Sequence, residues 1–273
     1  MKTLAVYSIK GGVGKTSTAV NLAHVAARDG ARVLLWDLDP QAATTWCLRV
    51  RAKIQGGAKT LLTSDGDLRD RILASDHPRL DLLPAALSLR KLERRLDSGR
   101  SGRDRIAARL REIERAYDLV VLDCPPGLTL LAENVFEAAD ALLVPMIPTP
   151  LSVRTLEQLV EFLVPRGWDG LTVLPFFSMV DRRKRLHRDV VEAIGRRVPG
   201  TLPSAIPNAT EVERMGLHRA PVVHTAPHSG AANAYVALYA DLIDALYATR
   251  RRPTTARDLR GRATRALEAA QGG

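Results

Sequence analysis

Cysteine is nearly absent from this sequence, with only Cys47 and Cys124 among 273 residues. Two unmatched thiols form neither a disulfide framework nor a zinc site, so a reducing cytosol is the expected compartment. Aromatic residues make up only 4% of the chain, which argues against a surface that stacks several exposed bases. These two scarcities exclude a disulfide-stabilised secreted scaffold and a base-stacking nucleic-acid platform.

Long hydrophobic runs are also absent. No segment approaches the ~20 consecutive apolar residues that a membrane-spanning helix needs. The apolar stretch near the N-terminus is too short for a signal peptide and leads directly into a glycine-rich loop. We therefore expect a cytoplasmic protein.

Positive charge is the most abundant special feature of the composition. Forty Lys and Arg residues outnumber 30 Asp and Glu residues, giving a net charge of +10. A protein this basic is biased toward polyanions, either nucleic acid or an anionic membrane face. The length of 273 residues suits one sizeable domain with a core of its own.

Short apolar runs alternate with helical patterns along the chain, which predicts an α/β fold with a mostly parallel, doubly wound sheet flanked by helices. We predict one domain over residues 1–249 and a basic C-terminal tail over 250–273. The predicted strands are 4–9, 32–36, 80–83, 119–122, 141–146 and 171–177. The predicted helices are 15–29, 88–95, 101–116, 152–163, 189–197 and 232–249.

The segment Lys10-Gly-Gly-Val-Gly-Lys-Thr-Ser17 follows the first predicted strand and opens the first predicted helix, which is the context of a phosphate-binding loop. Glycines allow backbone N–H groups to point at phosphate oxygens, and the helix adds the positive end of its dipole. Lys15 is expected to reach the β and γ oxygens of ATP, and the Thr16 hydroxyl to ligate Mg²⁺. The predicted nucleotide contacts are Gly11, Gly12, Val13, Gly14, Lys15, Thr16 and Ser17.

Lys10 precedes the glycines, so its side chain starts at the outer edge of the loop. From there it reaches a nucleotide in a facing subunit more easily than its own. The alternative is a solvated surface lysine.

Three motifs in order resemble the ParA/MinD/Soj family of deviant Walker A ATPases. They are Lys10 to Ala23, Asp37-Leu-Asp-Pro-Gln41 and Asp118-Leu-Val-Val-Leu-Asp-Cys-Pro-Pro126, and the resemblance continues to Tyr235. It implies an ATP-held sandwich homodimer in which Lys10 contacts the partner's nucleotide. It also implies non-specific DNA binding and a stimulating partner protein, ParB-like or a cargo adaptor.

Carboxylates follow two of the predicted strands. Asp123 ends an apolar strand, where a carboxylate needs a cation, and it is predicted to hold Mg²⁺. Asp37 and Asp39 follow the second strand, and one of them can orient the attacking water. The resemblance gives that role to Asp39 and places Asp37 nearer the magnesium. It also places Ser178, Pro207 and Asn208 around adenine.

Basic residues cluster in segment 181–188. Such clusters bind phosphate backbones without reading sequence. Family members often carry an arginine where this chain has Glu211, so DNA contact is expected to shift to other residues. The predicted contacts are Arg182, Arg183, Lys184, Arg185, Arg188, Arg214 and Arg219, with the tail arginines as a second cluster. Segment 256–270 has too thin an apolar face for membrane insertion.

The expected function is an ATPase that positions a cargo on the nucleoid, such as a plasmid, a chromosome region or a carboxysome. One alternative is a nucleotide-switched regulator of a membrane secretion or polysaccharide-synthesis complex, without DNA binding. Another is an ATP-dependent ligase of related fold. The histidines are expected to be structural or solvated, because their spacing in the sequence matches no metal-binding motif. Cys124 is expected to fill the core.

Overall fold

A computed structural model describes residues 1–50, 66–85, 102–247 and 253–271 of the chain. Its centre is a single eight-stranded sheet in the order β3-β4-β2-β5-β1-β6-β7-β8. The strands are β1 Lys2–Val6, β2 Val33–Asp37, β3 Leu73–Ala74, β4 Leu80–Leu83, β5 Leu119–Asp123, β6 Ala141–Met146, β7 Thr172–Val180 and β8 Ala205–Pro207.

Every strand pair in this sheet is parallel except β3 with β4. The central strands are buried throughout and apolar except for Asp37 and Asp123 at the ends of β2 and β5, as expected for strands covered on both faces. Order and direction confirm the predicted doubly wound α/β fold.

Helices cover both faces of the sheet. The longer helices are α1 Lys15–Arg28, α3 Arg105–Arg111, α4 Leu130–Ala138, α5 Pro150–Leu163, α6 Arg185–Arg197, α10 Gly230–Tyr247 and α12 Arg262–Gln271. The helices of four or five residues are α2 Ala43–Cys47, α7 Thr210–Glu213, α8 Met215–His218, α9 Val222–Thr225 and α11 Ala256–Leu259. Short 3₁₀ turns occupy Leu68–Arg71 and Val164–Arg166.

The two faces have separate cores. One core packs α3, α4, α5, α6, α11 and α12 against the sheet, and the other packs α1, α9 and α10. The parallel sheet therefore lies between two helical layers, with its carboxyl edge left open for loops.

Several elements differ from the sequence prediction. Helix α3 covers only the middle of predicted 101–116, and α6 begins four residues before predicted 189–197. Helix α4 and strand β8 were not predicted. The predicted helix 88–95 lies outside the described residues, and so does the predicted domain boundary at 249.

The C-terminal segment also differs from the predicted basic tail. Within residues 253–271, Ala256, Leu259, Ala263 and Ala266 are buried in the core beside α5 and α6. The buried carboxylate of Glu157 on α5 accepts hydrogen bonds from the backbone N–H groups of Gly261 and Thr264, at 3.0 and 2.9 Å. Apolar burial and this cap join the segment to the main domain.

Across the described ranges, none of the helices combines the length and apolarity that crossing a bilayer requires.

Candidate nucleotide-binding site

Three adjacent strands bring the predicted motifs to one edge of the sheet. In the parallel register, Asp123 at the end of β5 pairs with Val6 of β1 on one side and with Asp37 of β2 on the other. Because the carboxyl ends of parallel strands meet at the same edge, the loops after β1, β2 and β5 converge there. The sequence motifs therefore form one site.

The loop after β1 has the backbone of a phosphate cradle. Gly12 and Gly14 adopt φ values of +72° and +89°, which glycine tolerates best. Gly14 is also the N-cap residue of α1. A Cβ at Gly14 would lie 2.8 Å from the Ser178 Oγ, so a larger residue there would collide as well. Val13 is buried and anchors the loop.

The two lysines of the loop occupy different environments. Lys15 is buried, and its ammonium donates a 2.8 Å hydrogen bond to the Lys10 backbone carbonyl. Burial lowers the pKa of Lys15, whereas Asp123, Cys124 and Asp39 raise it. Lys10 itself is exposed at the outer edge of the loop. This placement agrees with an inward Lys15 and an outward Lys10.

Asp123 has the donor set of a magnesium site. It is fully buried, and its Oδ2 accepts hydrogen bonds from Thr16 Oγ1 at 2.9 Å and Thr44 Oγ1 at 2.7 Å. Its Oδ1 is buried with no hydrogen-bond partner in the described structure. Burial raises the pKa of Asp123, because removal from water disfavours the charged carboxylate, although the hydroxyls of Thr44 and Thr16 and the Lys15 ammonium act in the opposite direction. Carboxylate and hydroxyl oxygens suit Mg²⁺, so these residues fit that metal.

The carboxylate of Asp37 accepts hydrogen bonds from the residues that follow it in the chain. Its Oδ2 accepts from the Thr45 backbone N–H and hydroxyl at 2.8 and 2.7 Å, and its Oδ1 accepts from the Asp39 N–H at 3.2 Å. Burial and nearby Asp123 raise the pKa of Asp37. The structure thus shows Asp37 shaping the loop that carries Asp39, while its predicted place near magnesium stays a prediction.

The segment after Asp39 is held in a strained conformation. Ala42 has φ +56°, a left-handed value that a residue with a Cβ seldom adopts. The Leu38 N–H donates to the Asp123 carbonyl, and the Gln41 N–H donates to Asp39 Oδ1, both at 2.9 Å. Strain of this kind occurs where the surrounding structure fixes a functional loop.

A cleft of about 580 Å³ opens between these loops. Its residues come from the three motifs: Gly11, Gly12, Gly14, Lys15, Thr16, Ser17, Asp39, Pro40, Gln41, Pro125, Pro126 and Thr129. The volume is that of a small-molecule site. Sequence analysis missed Thr44, Thr45 and Thr129, which belong to no motif that it used.

The residues predicted to frame adenine follow the neighbouring strands β7 and β8. Ser178 is buried against Gly14, and Asn208 is exposed at the end of β8, where its N–H donates to the Val180 carbonyl. Pro207 pairs with Val180. These positions lie at the same edge as the cleft, and their adenine role stays a prediction.

The predicted DNA contacts divide into two groups. Arg182, Arg183, Lys184, Arg185 and Arg188 are exposed where β7 leads into α6. Several of these side chains form local bonds: Arg183 pairs with Asp181, and Arg188 donates to the Arg182 carbonyl. This group also lies at the carboxyl edge of the sheet.

Arg214 and Arg219 form the second group, beside α8 in the other helical layer. Arg214 is exposed. The Arg219 guanidinium lies 4.1 Å from the centre of the Trp46 ring, and its Nε donates to the Trp46 carbonyl. Arg219 thus joins α8 to α2, and its predicted DNA contact would require leaving Trp46.

Sequence comparisons match this chain to known proteins over most of its length. A family model described as an AAA domain matches residues 1–165. The sporulation initiation inhibitor protein Soj of Bacillus subtilis is 31% identical over 243 residues, covering 87% of this chain and 96% of that protein. The chromosome partitioning protein ParA of Caulobacter vibrioides is 34% identical over 204 residues, covering 71% of this chain and 75% of that protein.

Solved structures share the fold. Cobyrinic acid a,c-diamide synthase from Mycobacterium smegmatis, with bound ATP analog and magnesium, has a TM-score of 0.75 at 26% identity. The alignment covers 93% of this chain and 99% of that one. The septum site-determining protein MinD of Pyrococcus horikoshii, complexed with Mg-ADP, has a TM-score of 0.70 at 21% identity and covers 88% of this chain and 95% of its own. The latter likeness concerns the fold alone.

Proposed function

Because this chain belongs to the ParA/Soj family of P-loop ATPases, we propose that it hydrolyses ATP to partition or position a cargo on DNA. The observation that carries the proposal is the hydrogen bond from Thr16 to Asp123 at the mouth of the glycine loop, together with a second Asp123 oxygen that has no hydrogen-bond partner among the described residues. A phosphate cradle beside a prepared magnesium site is what a nucleoside triphosphate requires.

ATP and Mg²⁺ are the cofactors. The glycine loop supplies backbone N–H groups for phosphate oxygens, and Lys15 adds the charge that it now directs to the Lys10 carbonyl. Thr16 and Asp123 would hold Mg²⁺, which neutralises negative charge on the phosphates when bound. The solved synthase with ATP analog and magnesium supports this assignment.

Hydrolysis transfers the terminal phosphoryl group to water. The water oxygen bonds to the γ-phosphorus as the bond to the β–γ bridging oxygen breaks, and ADP leaves with that electron pair. Asp39 lines the cleft on a loop that Asp37 fixes, so we assign it the orientation of that water. We expect a slow basal rate from this arrangement, in which catalysis rests on positioning and electrostatic stabilisation without a covalent intermediate.

The proposed cycle includes an ATP-held homodimer, which the exposed position of Lys10 supports. Its side chain is exposed at the rim of the cleft, while its carbonyl binds Lys15. In an ATP-held homodimer Lys10 would contact the nucleotide of the facing subunit, which makes the motif a deviant Walker A. Lys10 and Lys15 thus act on two different nucleotides.

DNA is the proposed surface along which the cargo is positioned. The protein would therefore be associated with the nucleoid. The exposed cations that follow β7 lie at the same edge as the nucleotide cleft, so nucleotide-driven dimerisation can bring two copies of them together. Their binding should be non-specific and salt-sensitive. A ParB-like protein or cargo adaptor would stimulate hydrolysis.

DNA retardation with ATP, ADP or no nucleotide, at low and high salt, tests this proposal. The wild-type protein should shift DNA with ATP and lose the shift at high salt. Arg182→Glu, Arg183→Glu and Arg185→Glu together should abolish the shift while ATP binding remains. The matched control changes Arg111, Arg115 and Arg166, which are exposed near the amino ends of β5 and β7, and should retain the shift. A wild-type protein without an ATP-dependent shift would contradict the DNA function.

An ATP-dependent ligase is a second candidate, because the synthase structure is similar over nearly the whole chain. A ligase couples ATP cleavage to an acceptor substrate. Purified protein that hydrolyses ATP without any acceptor, and faster with DNA, would favour the partitioning function. Hydrolysis that begins only when a carboxylate acceptor is added would favour the ligase.

A further inference from the structure

Three histidines that are far apart in the sequence meet on the outer side of α1. His24 lies on α1, His77 in the turn between β3 and β4, and His224 on α9. Their ring centroids are 4.6 Å apart for His24 and His77, 5.8 Å for His24 and His224, and 5.1 Å for His77 and His224. Sequence spacing did not indicate this cluster, because the fold brings the three histidines together from distant parts of the chain.

The turn that carries His77 is fixed by hydrogen bonds. Ser75 Oγ donates to the Leu80 carbonyl at 2.6 Å and accepts from the His77 N–H at 3.1 Å. Arg79 then donates to the Gly30 carbonyl just beyond the end of α1, at 3.1 Å. The turn is thereby closed on itself and docked beside the helix that carries His24.

Helix α9 is fixed to α1 by a different side chain. Asn21, fully buried on α1, accepts a 3.2 Å hydrogen bond from the Val223 N–H through its Oδ1. Its Nδ2 donates to the Ser17 carbonyl at 2.7 Å. Since Asn21 precedes His24 by three residues and Val223 adjoins His224, this contact holds the backbones that carry the two histidines side by side.

The chemistry of His24 is unusual for a purely structural residue. It is only 6% exposed, and its Nδ1 is buried with no hydrogen-bond partner in the described structure. The pKa of His24 is lowered to about 4, mainly by burial and to a smaller extent by the neighbouring positive charges of His77, His224 and Arg28. His24 is therefore neutral at neutral pH, and neutral imidazole is the form that binds metals.

We propose that His24, His77 and His224 bind a divalent transition metal of the zinc class. The three ligand nitrogens lie within 4.8 Å of one another. Tetrahedral zinc, with Zn–N distances of about 2.0–2.1 Å, places its nitrogens about 3.4 Å apart. Rotation of the exposed His224 and half-buried His77 can close this gap, and solvent supplies a fourth ligand at the exposed side.

The proposed metal would add a link between three elements that already pack in one core and are joined by hydrogen bonds of Asn21 and Arg79. They are the helix behind the phosphate loop, the turn before β4 and the segment that follows α8. The site differs from the magnesium site in its ligands. Mg²⁺ prefers oxygen ligands, whereas imidazole suits zinc, copper, nickel or cobalt. Its main effect should be to stabilise the folded state.

Metal titration of the tag-free full chain tests the proposal without nucleotide. After chelator treatment, the protein is titrated with Co²⁺, whose visible absorption reports tetrahedral nitrogen ligands, and Zn²⁺ is then added as competitor. Wild-type protein should bind one Co²⁺ per chain, lose the signal to Zn²⁺, and melt at a higher temperature with Zn²⁺. His224→Ala, which removes an exposed side chain, should weaken binding at least tenfold, as should His77→Ala.

The matched control removes other histidines of the same surface region. His218→Ala and His228→Ala should leave Co²⁺ binding unchanged. Circular dichroism and ATP affinity show whether each variant is folded. Folded His224→Ala protein that binds Co²⁺ as tightly as wild type would overturn the proposal, and so would wild-type protein that binds no Co²⁺ or Zn²⁺ at micromolar concentrations. Neither result depends on whether the protein hydrolyses ATP or binds DNA.

Discussion

The two ends of α1 carry sites that are built in opposite ways. At its beginning, Lys15 and Thr16 belong to one continuous sequence motif, and the spacing of that motif predicts phosphate binding. Toward the C-terminal end of α1, His24 lies beside His77, which comes from a turn, and His224, which comes from a short helix far along the chain. A site built from neighbours in the sequence can be predicted from a motif, whereas a site built by tertiary contacts needs the fold.

The comparison predicts that damage at one end of α1 leaves the other end intact. Asn21 is the exception, because its side chain reaches the carbonyl of Ser17 near the phosphate loop and the backbone beside His224. The following changes separate the ends or couple them.

Lys15→Ala should have the largest effect. It removes the charge that we assign to the β and γ phosphates, and ATP affinity should fall by about 100-fold or more, as for loss of a buried charge-assisted hydrogen bond. Equilibrium binding of a fluorescent ATP analogue measures this. Lys2→Ala, at an exposed lysine paired with Asp140, is the control and should bind normally. Retained affinity in Lys15→Ala would refute the phosphate-loop assignment.

Asp39→Ala should reduce turnover and spare binding. Without the carboxylate that orients water, kcat should fall by about 100-fold while ATP-dependent dimers still form. Phosphate release and light scattering measure the two properties on the same sample. Asp244→Ala, at an exposed aspartate of α10, should behave as wild type. A normal turnover rate in Asp39→Ala would remove the proposed role.

Asn21→Ala should affect both ends of α1, because it removes a contact near the phosphate loop and a contact beside His224. It leaves the buried Val223 N–H without its partner and removes the additional side-chain hydrogen bond to the Ser17 carbonyl, which costs about 2 kcal/mol of unfolding free energy. Urea denaturation checks the cost, and the metal titration should weaken in parallel. Asn208→Ala, at an exposed position, serves as control. Unchanged stability would show that α9 is held by other contacts.

The smallest effect concerns pH. Because the folded-state pKa of His24 is about 4 and its usual value 6.5, the unfolded chain takes up a proton first as pH falls. Stability from this group is complete above about pH 6.5 and is lost progressively toward pH 4, with about 2 kcal/mol of the loss falling between pH 6.5 and pH 5. Denaturation at pH 7.5 and 5 in chelator measures it. His24→Gln should show a shallower loss, and equal slopes would contradict the assignment.

Sequence analysis predicted the sheet and the phosphate loop because both depend on local patterns. The bounds of β4 and β6 match the prediction, since each is a short apolar run with clear ends. It missed α4, whose start at Leu130 lies close behind the turn of Pro125 and Pro126. It also treated residues 250–273 as a basic tail, because the many arginines outweighed the four apolar residues of this segment that are buried in the core.

Within the site, side chains that complete a motif from elsewhere escaped prediction. Thr44 binds the carboxylate of Asp123 only because α2 folds back over the end of β5. Thr45 does the same for Asp37. Hydroxyls are common in sequences and carry no spacing signal, so only the fold reveals their partners.

The most direct test of the account is a crystal structure of this chain with a non-hydrolysable ATP analogue and Mg²⁺. We predict a triphosphate bound by the backbone of residues 11–16, with Lys15 turned from the Lys10 carbonyl to the phosphates and the metal beside Thr16 and Asp123. A triphosphate bound elsewhere, or a glycine loop still closed on its own lysine at saturating nucleotide, would contradict it.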